Sequence, residues 1–147
     1  MYKLIHMNQS RRVSDDDLTG VLREPEAVYG VESVRSGLSM EEWAALRNWL
    51  GVSDERLAGW LLVSRATLHR RKKAGKMSPE ESDRLMRNAR LCRRAAAVLG
   101  GSVNARSWLL APATAFGGEC PLDYANTELG SREVEALLGR IEYGVFS

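Results

Sequence analysis

Ser53-Asp54-Glu55-Arg56-Leu57-Ala58-Gly59-Trp60-Leu61, the pair Leu62-Val63, and then Ser64-Arg65-Ala66-Thr67-Leu68-His69-Arg70-Arg71-Lys72-Lys73-Ala74-Gly75-Lys76 form the most informative stretch of this chain. Ser53 has the chemistry of an N-cap, and Asp54 and Glu55 place negative charge in the positive first turn of a helix. Leu57, Trp60 and Leu61 give that helix one apolar face. Ser64 caps a second helix that runs to about Ala74-Gly75. A helix, a short turn and a second helix dense in cations make a helix-turn-helix, whose second helix enters the major groove of DNA. If Leu68 faces the core, then at about 100° per residue Ala66, His69, Arg70 and Lys73 point roughly away from it, with Arg65 and Thr67 at the edges. Arg65, His69 and Arg70 are the candidates for base edges, since arginine makes a bidentate contact to guanine. Lys72, Lys73 and Lys76 are placed for phosphates. The plain alternative is a solvated basic helix. His69 has no metal-ligating neighbour, because the other histidine is His6.

Outward from this motif the pattern stays helical. Upstream, Ser39-Met40-Glu41-Glu42 reads as a capping box, followed by Trp43, Leu46, Trp49 and Leu50 at helical spacing and a stop at Gly51. Downstream, Ser78-Pro79-Glu80-Glu81 is the clearest start signal, with Ser at the cap, Pro at the first position and Glu at the third. The long helix it opens reaches Leu99. Leu85, Ala89, Cys92, Ala96 and Leu99 form one apolar seam, and Arg84, Arg87, Arg90, Arg93 and Arg94 fall on the remaining arc. That arc is either a solvated face or a contact for phosphates or for an acidic partner. Gly100-Gly101 marks a subdomain boundary. Asn104 is expected to cap a short helix with Trp108, Leu109 and Leu110, and Leu122 to Ala125 can form one more turn. Ser131 is expected to cap a final helix with Val134, Leu137, Leu138 and Ile141 that ends near Gly144. Trp108, Leu109, Pro112 and Phe116 are the expected core of this C-terminal unit. No segment alternates with period two, so the fold class is all-α: a helix-turn-helix domain followed by a small helical domain. The expected division is a partly ordered arm over 1–36, in which Asp15-Asp16-Asp17 start a short helix through Leu18, Val21 and Leu22, a helix-turn-helix region over 37–100 and a C-terminal domain over 101–147.

Charge distribution says more than net charge. Between Arg65 and Arg94 lie 11 of the 21 lysines and arginines, against Glu80, Glu81 and Asp83, in a chain whose formal net charge is +2. This is a basic patch in an otherwise balanced protein, as nucleic-acid readers carry. Cys92 and Cys120 belong to no CxxC or Cys/His cluster and read as reduced thiols. No apolar run reaches the ~18 residues of a membrane span, and the N-terminus has no secretory apolar stretch. A soluble cytoplasmic location, with no metal and no cofactor, is the expectation.

The C-terminal segment carries spaced elements: Ala105-Arg106-Ser107-Trp108-Leu109-Leu110-Ala111-Pro112, Phe116-Gly117-Gly118-Glu119-Cys120-Pro121-Leu122-Asp123, Thr127-Glu128-Leu129-Gly130, and Arg140-Ile141-Glu142-Tyr143-Gly144-Val145. In that order they resemble the toxin-binding domain of the Xre/MbcA/ParS antitoxin family. Leu68-His69-Arg70-Arg71-Lys72 and Ser78 to Leu85 also resemble that family, so the likeness covers roughly residues 40–147. Leu57-Ala58 and Leu61 to Leu68 resemble the helix-turn-helix of phage-repressor-like proteins, with Ala58 at the helix crossing and Val63 and Leu68 as anchors. That family usually has glycine in the turn where this chain has Leu62. A bulky residue is costly at positive φ, which predicts a wider turn here.

The resemblance implies the antitoxin of a type II toxin–antitoxin pair. The implied partners are a RES-domain toxin that consumes NAD and the operator DNA of its own operon, bound as a homodimer. At the exposed chain end Arg140, Tyr143, Gly144, Val145 and Phe146 are the candidates for toxin contact, since arginine and aromatic side chains make interface anchors. Ordinary terminal packing is the alternative there. No catalytic constellation is present: there is no HExxH, no G-x-x-x-x-G-K-[ST] and no G-x-G-x-x-G. A stand-alone phage-repressor-like regulator is the second reading. An RNA-binding helical module is weaker, as no aromatic stacking platform on a sheet is visible.

Overall fold

The computed structural model describes residues 30–144, and the expected short helix between Asp15 and Leu22 lies outside that range. The described residues form α1 (Val31–Ser36), α2 (Met40–Leu50), α3 (Asp54–Leu61), α4 (Arg65–Ala74), α5 (Pro79–Leu99), α6 (Ser102–Leu110), a 3-10 turn (Thr114–Phe116), α7 (Pro121–Tyr124) and α8 (Glu128–Glu142), with no strand among them. The all-α class read from the sequence holds. Residues 31–36 of the expected arm are helical and pack on α5.

Three serine caps form where the sequence put them. Ser53, Ser64 and Ser78 accept from the amides of Arg56, Thr67 and Glu81. At Ser78 the Glu81 carboxylate also accepts from the Ser78 amide, 3.0 Å away, and Pro79 fills the position whose amide would have no partner. Three expected caps do not form. Ser39 makes no side-chain cap bond. Its neighbour Met40 donates instead to the Gly75 carbonyl at 2.9 Å, and Met77 donates to Leu38, so the chain entering α2 lies against the exit of α4. Asn104 sits inside α6 and donates to the last carbonyl of α5, Leu99. Ser131 is buried inside α8, whose cap is Thr127, accepting from Gly130 at 3.0 Å.

The long helix α5 is the axis of the molecule. It buries Leu85, Met86, Ala89, Leu91, Cys92 and Ala95, a wider arc than the single seam expected, and α1, α6 and α8 pack around it. The core runs without a break from Trp43 and Leu46 through Leu57 and Leu61 to Leu109, Leu122, Val134 and Leu138. Burying a side chain of that size stabilises by about 1.5–3 kcal/mol. Two tryptophan indoles link the halves: Trp49 donates to Ser102 at 2.9 Å, and Trp60 donates to Asp123 at 2.6 Å. Of the core expected in the C-terminal unit, Leu109 and Phe116 are buried and Trp108 is half-buried, whereas Pro112 is exposed. The 3-10 turn stacks Phe116 on Tyr124 with centroids 4.6 Å apart, which leaves Pro112 on the outside of the bend.

The turn of the helix-turn-helix is not widened. Leu62 takes the left-handed conformation itself, with φ 56° and ψ 43°. Val63 donates to Ala58 at 2.9 Å and buries its side chain, so the backbone closes as it would around glycine while the Leu62 side chain stands 59% exposed. A non-glycine residue in this region costs roughly 1–2 kcal/mol, part of which glycine's larger unfolded-state entropy would give back. Leu62→Gly is therefore expected to raise stability by about 0.5–1 kcal/mol. A denaturant midpoint that falls would show that Leu62 makes a stabilising contact.

Candidate nucleic-acid interface and C-terminal surface

Helix α4 buries Leu68 alone. Its orientation therefore rests on polar anchors as much as on apolar contact. Arg71 and Lys72 lie on either side of Leu68 at helical spacing and both turn inward. Arg71 binds Glu81 of α5 through Nε at 2.8 Å and Nη2 at 3.2 Å. Lys72 binds Asp54 of α3 at 2.5 Å. Asp54 also accepts from the Trp43 indole and from Arg47, each at 2.9 Å, so one carboxylate ties α2, α3 and α4 together. Burial raises the affinity of the Asp54 carboxyl for a proton. The bonds from Lys72, Trp43 and Arg47 outweigh that and hold it well below the usual carboxylate range. Glu81 is governed the same way: burial pushes its carboxyl up, and Arg71 with the Ser78 amide brings it down further.

With the inward cations accounted for, the outer face of α4 is clear. Arg65, His69, Arg70, Lys73 and, just past Gly75, Lys76 are exposed. Arg70 donates to the Thr67 hydroxyl at 3.1 Å, and Ser64 donates to the same oxygen at 2.9 Å. Half-buried Thr67 thus steers the Arg70 guanidinium before any partner arrives. Of the seven residues singled out in the sequence, α4 groups Arg65, His69, Arg70 and Lys73 on one open side, while Lys72 is held by Asp54. The roles of Asp54 and Glu81 were not read from the sequence. Helix-start chemistry explained both, and their long-range partners are 18 and 10 residues away.

Three arginines of the α5 arc are engaged within the fold. Arg84 donates to the Leu61 carbonyl at 3.2 Å, Arg87 pairs with Glu128 at 3.3 Å, and Arg94 pairs with Glu142. These arginines fasten α5 to the turn motif and to α8. The C-terminal candidates fare differently. Arg140, Tyr143 and Gly144 are exposed, and Arg140 makes no ion pair among the described residues, whereas Val145 and Phe146 lie outside them. Cys92 is fully buried, which pushes its thiol far up. Among the described residues no three His, Cys, Asp or Glu side chains gather as a metal site, and no helix is long and apolar enough to cross a membrane.

Comparison with known proteins places both halves. Residues 30–90 match the family model of the antitoxin Xre-like helix-turn-helix domain, and residues 94–144 match that of the antitoxin Xre/MbcA/ParS C-terminal toxin-binding domain. The antitoxin Xre of Yersinia enterocolitica serotype O:8 / biotype 1B is 34% identical over 119 residues, 80% of either chain. The antitoxin Xre of Photorhabdus laumondii subsp. laumondii is 30% identical over 118 residues, 78% of either chain. The antitoxin Xre of Pseudomonas putida is 37% identical over 68 residues, 46% of this chain and 43% of that one.

Proposed function

This chain belongs to the Xre antitoxin family, and from that premise we propose that it blocks a RES-type, NAD-consuming toxin and represses its own operon. It acts by binding, not by catalysis. Residues 37–100 are the DNA-reading part, and residues 101–147 are the part that holds the toxin. Helix-turn-helix proteins read two half-sites as dimers, so the acting species is a homodimer.

The observation that carries the DNA reading is the outer face of α4: Arg65, His69 and Lys73 have no internal partner among the described residues, although neighbouring Arg71 and Lys72 do. Cations left unpaired on the helix that follows the turn are what a phosphate backbone and guanine edges require. Arg65, Thr67, His69 and Arg70 supply base and edge contacts, and Lys73 and Lys76 supply phosphate contacts. Lys72, held by Asp54, has its remaining N–H donors for a phosphate. On the toxin side, Arg140, Tyr143 and Gly144, which are exposed, together with Val145 and Phe146 that follow them in sequence, supply the arginine and aromatic contacts to the toxin.

Two measurements test this. In operator titrations over a salt series, Lys73→Ala is expected to weaken binding to all sequences and lower the salt slope by about 1. Arg70→Ala is expected to cost ~1–3 kcal/mol and relax specificity at one base pair. In parallel, NAD consumption by the toxin encoded beside this gene is expected to fall to background when the chain is added. Operator binding indifferent to salt, or NAD loss unaffected by the chain, would remove the corresponding half of the proposal.

A further inference from the structure

Helix α8 has two distinct sides. It buries Gly130, Ser131, Val134 and Leu138. At about 100° per residue the opposite side carries Leu129, Arg132, Ala136, Arg140 and Tyr143 within an arc of roughly 80°. All five are exposed. Leu129 and Tyr143, at 69% and 78% exposure, are the large exposed hydrophobics described within residues 94–144. They stand at the two ends of one stripe about 21 Å long.

Two of the arginines on this half of the molecule that are least engaged within the fold, Arg132 and Arg140, lie on the same stripe. Arg87 and Arg94 pair with Glu128 and Glu142 inside the fold, and Arg106 donates to the Trp49 carbonyl. Arg140 has no partner among the described residues, and Arg132 meets only Glu128, with its side chain 75% exposed. Ala136 between them leaves room for another surface to approach the helix closely. An apolar anchor at either end, a small residue in the middle and two arginines make the pattern of a helix laid into a groove.

We propose that this outward face of α8, and not the last residues alone, is what docks the toxin, in an apolar groove edged with carboxylates; this rests on the antitoxin reading above. A second copy of the chain fits the stripe poorly. A two-fold axis across it would bring Arg132 and Arg140 of one copy against the same arginines of the other. The family match to a toxin-binding domain ends at residue 144, so it takes in the whole of α8 and stops before the last three residues.

The test is calorimetric titration of the full chain with the purified toxin encoded beside its gene. Leu129→Ala and Ala136→Glu change the face several turns away from the chain end, at exposed positions that leave the fold intact. Each is expected to weaken toxin binding by about tenfold or more, with operator binding and melting temperature unchanged. A chain lacking residues 145–147 is expected to keep its affinity within about threefold. The proposal is overturned if both face variants bind as the parent does while the shortened chain loses the toxin. It is equally overturned if the face variants turn a dimer into a monomer with toxin affinity intact, which would make the stripe an interface between copies. A parent chain that binds no toxin would instead remove the antitoxin reading itself.

Discussion

Glu81→Ala is expected to cost about 2–4 kcal/mol, well beyond the ~0.5–2 kcal/mol expected for Ser78→Ala at the same helix start. The serine supplies one cap bond. Glu81 supplies the reciprocal bond to the Ser78 amide and both oxygens for Arg71, and it is 7% exposed. Its removal takes the side-chain acceptor from the part-buried Ser78 amide and leaves a half-buried guanidinium without its counter-charge. The partial exposure of Arg71 lets water recover some of that loss, which keeps the figure below the upper range for fully buried pairs. The functional consequence follows from the sparse apolar docking of α4. With Arg71 released, the helix keeps Leu68, the Lys72–Asp54 pair and the backbone bond from Met40 to Gly75 at its exit, so operator affinity should fall although no DNA contact has been removed. The salt slope should stay where it was, which separates this variant from Lys73→Ala. Acid probes the same anchors. The carboxyls of Glu81 and Asp54 are held below their ordinary values in the folded chain. Their stabilising contribution is therefore complete above the unfolded-state range near ~4 and is lost as pH falls through the lowered folded values. Stability of the parent should decline below about pH 4, and Glu81→Ala should flatten part of that decline. Chemical denaturation at pH 7 and pH 3 measures both effects. Equal melting of parent and variant at pH 7 would mean that the Arg71–Glu81 pair contributes nothing net.

What was legible in the sequence was local. Ser53, Ser64 and Ser78 revealed three helix starts because each cap bond closes within three residues. The apolar spacing of α2, α3 and α5 then fixed which faces turn inward. Ser39 carries an equally good local signal, yet the Glu42 amide bonds the Ser39 carbonyl instead of its hydroxyl, and the entry to α2 is held by the Gly75 carbonyl, which reaches the Met40 amide from a distant part of the chain. A tertiary acceptor of that kind leaves no mark on the four-residue pattern. The arginine arc of α5 failed as a guide for the same reason. Its pairing with Glu128 and Glu142 spans 41 and 48 residues, so part of a face that looks free on a helical wheel is engaged within the fold. The split within Arg70-Arg71-Lys72-Lys73 is similar. Four adjacent cations look alike until Glu81 and Asp54 claim the middle two. The start of α8 was misplaced because Gly130 reads as a break, while Thr127 is a less conspicuous cap than Ser131.

That glycine gives the second large effect. A Cβ added at Gly130 would lie 1.9 Å from the Tyr124 carbonyl oxygen, 3.0 Å from its carbon and 3.1 Å from the Thr127 hydroxyl. The obstacle is backbone, and it is held on every side. Tyr124 stacks on Phe116, its hydroxyl donates to Glu133, and its amide donates to Cys120. Thr127 is itself fixed as the cap of α8. Gly130→Ala should therefore destabilise by about 3 kcal/mol, the upper end for overpacked sites. It should do so although alanine is the better helix former by ~1 kcal/mol. Gly139, in the same helix, has nothing within 4 Å of the corresponding position. Gly139→Ala should thus show the propensity gain alone, raising stability by up to ~1 kcal/mol. The pair separates close approach from helix propensity within one element. Because Gly130 fixes how α8 leaves α7, its replacement should also tilt the outward stripe bearing Leu129, Arg140 and Tyr143. Toxin capture by the fraction still folded should then weaken more than operator binding, whose helix α4 is anchored to α3 and α5 instead. Thermal melts of the two variants, read beside toxin and operator titrations, supply the comparison. If Gly130→Ala is as stable as Gly139→Ala, the α7–α8 junction is looser than the 1.9 Å approach implies.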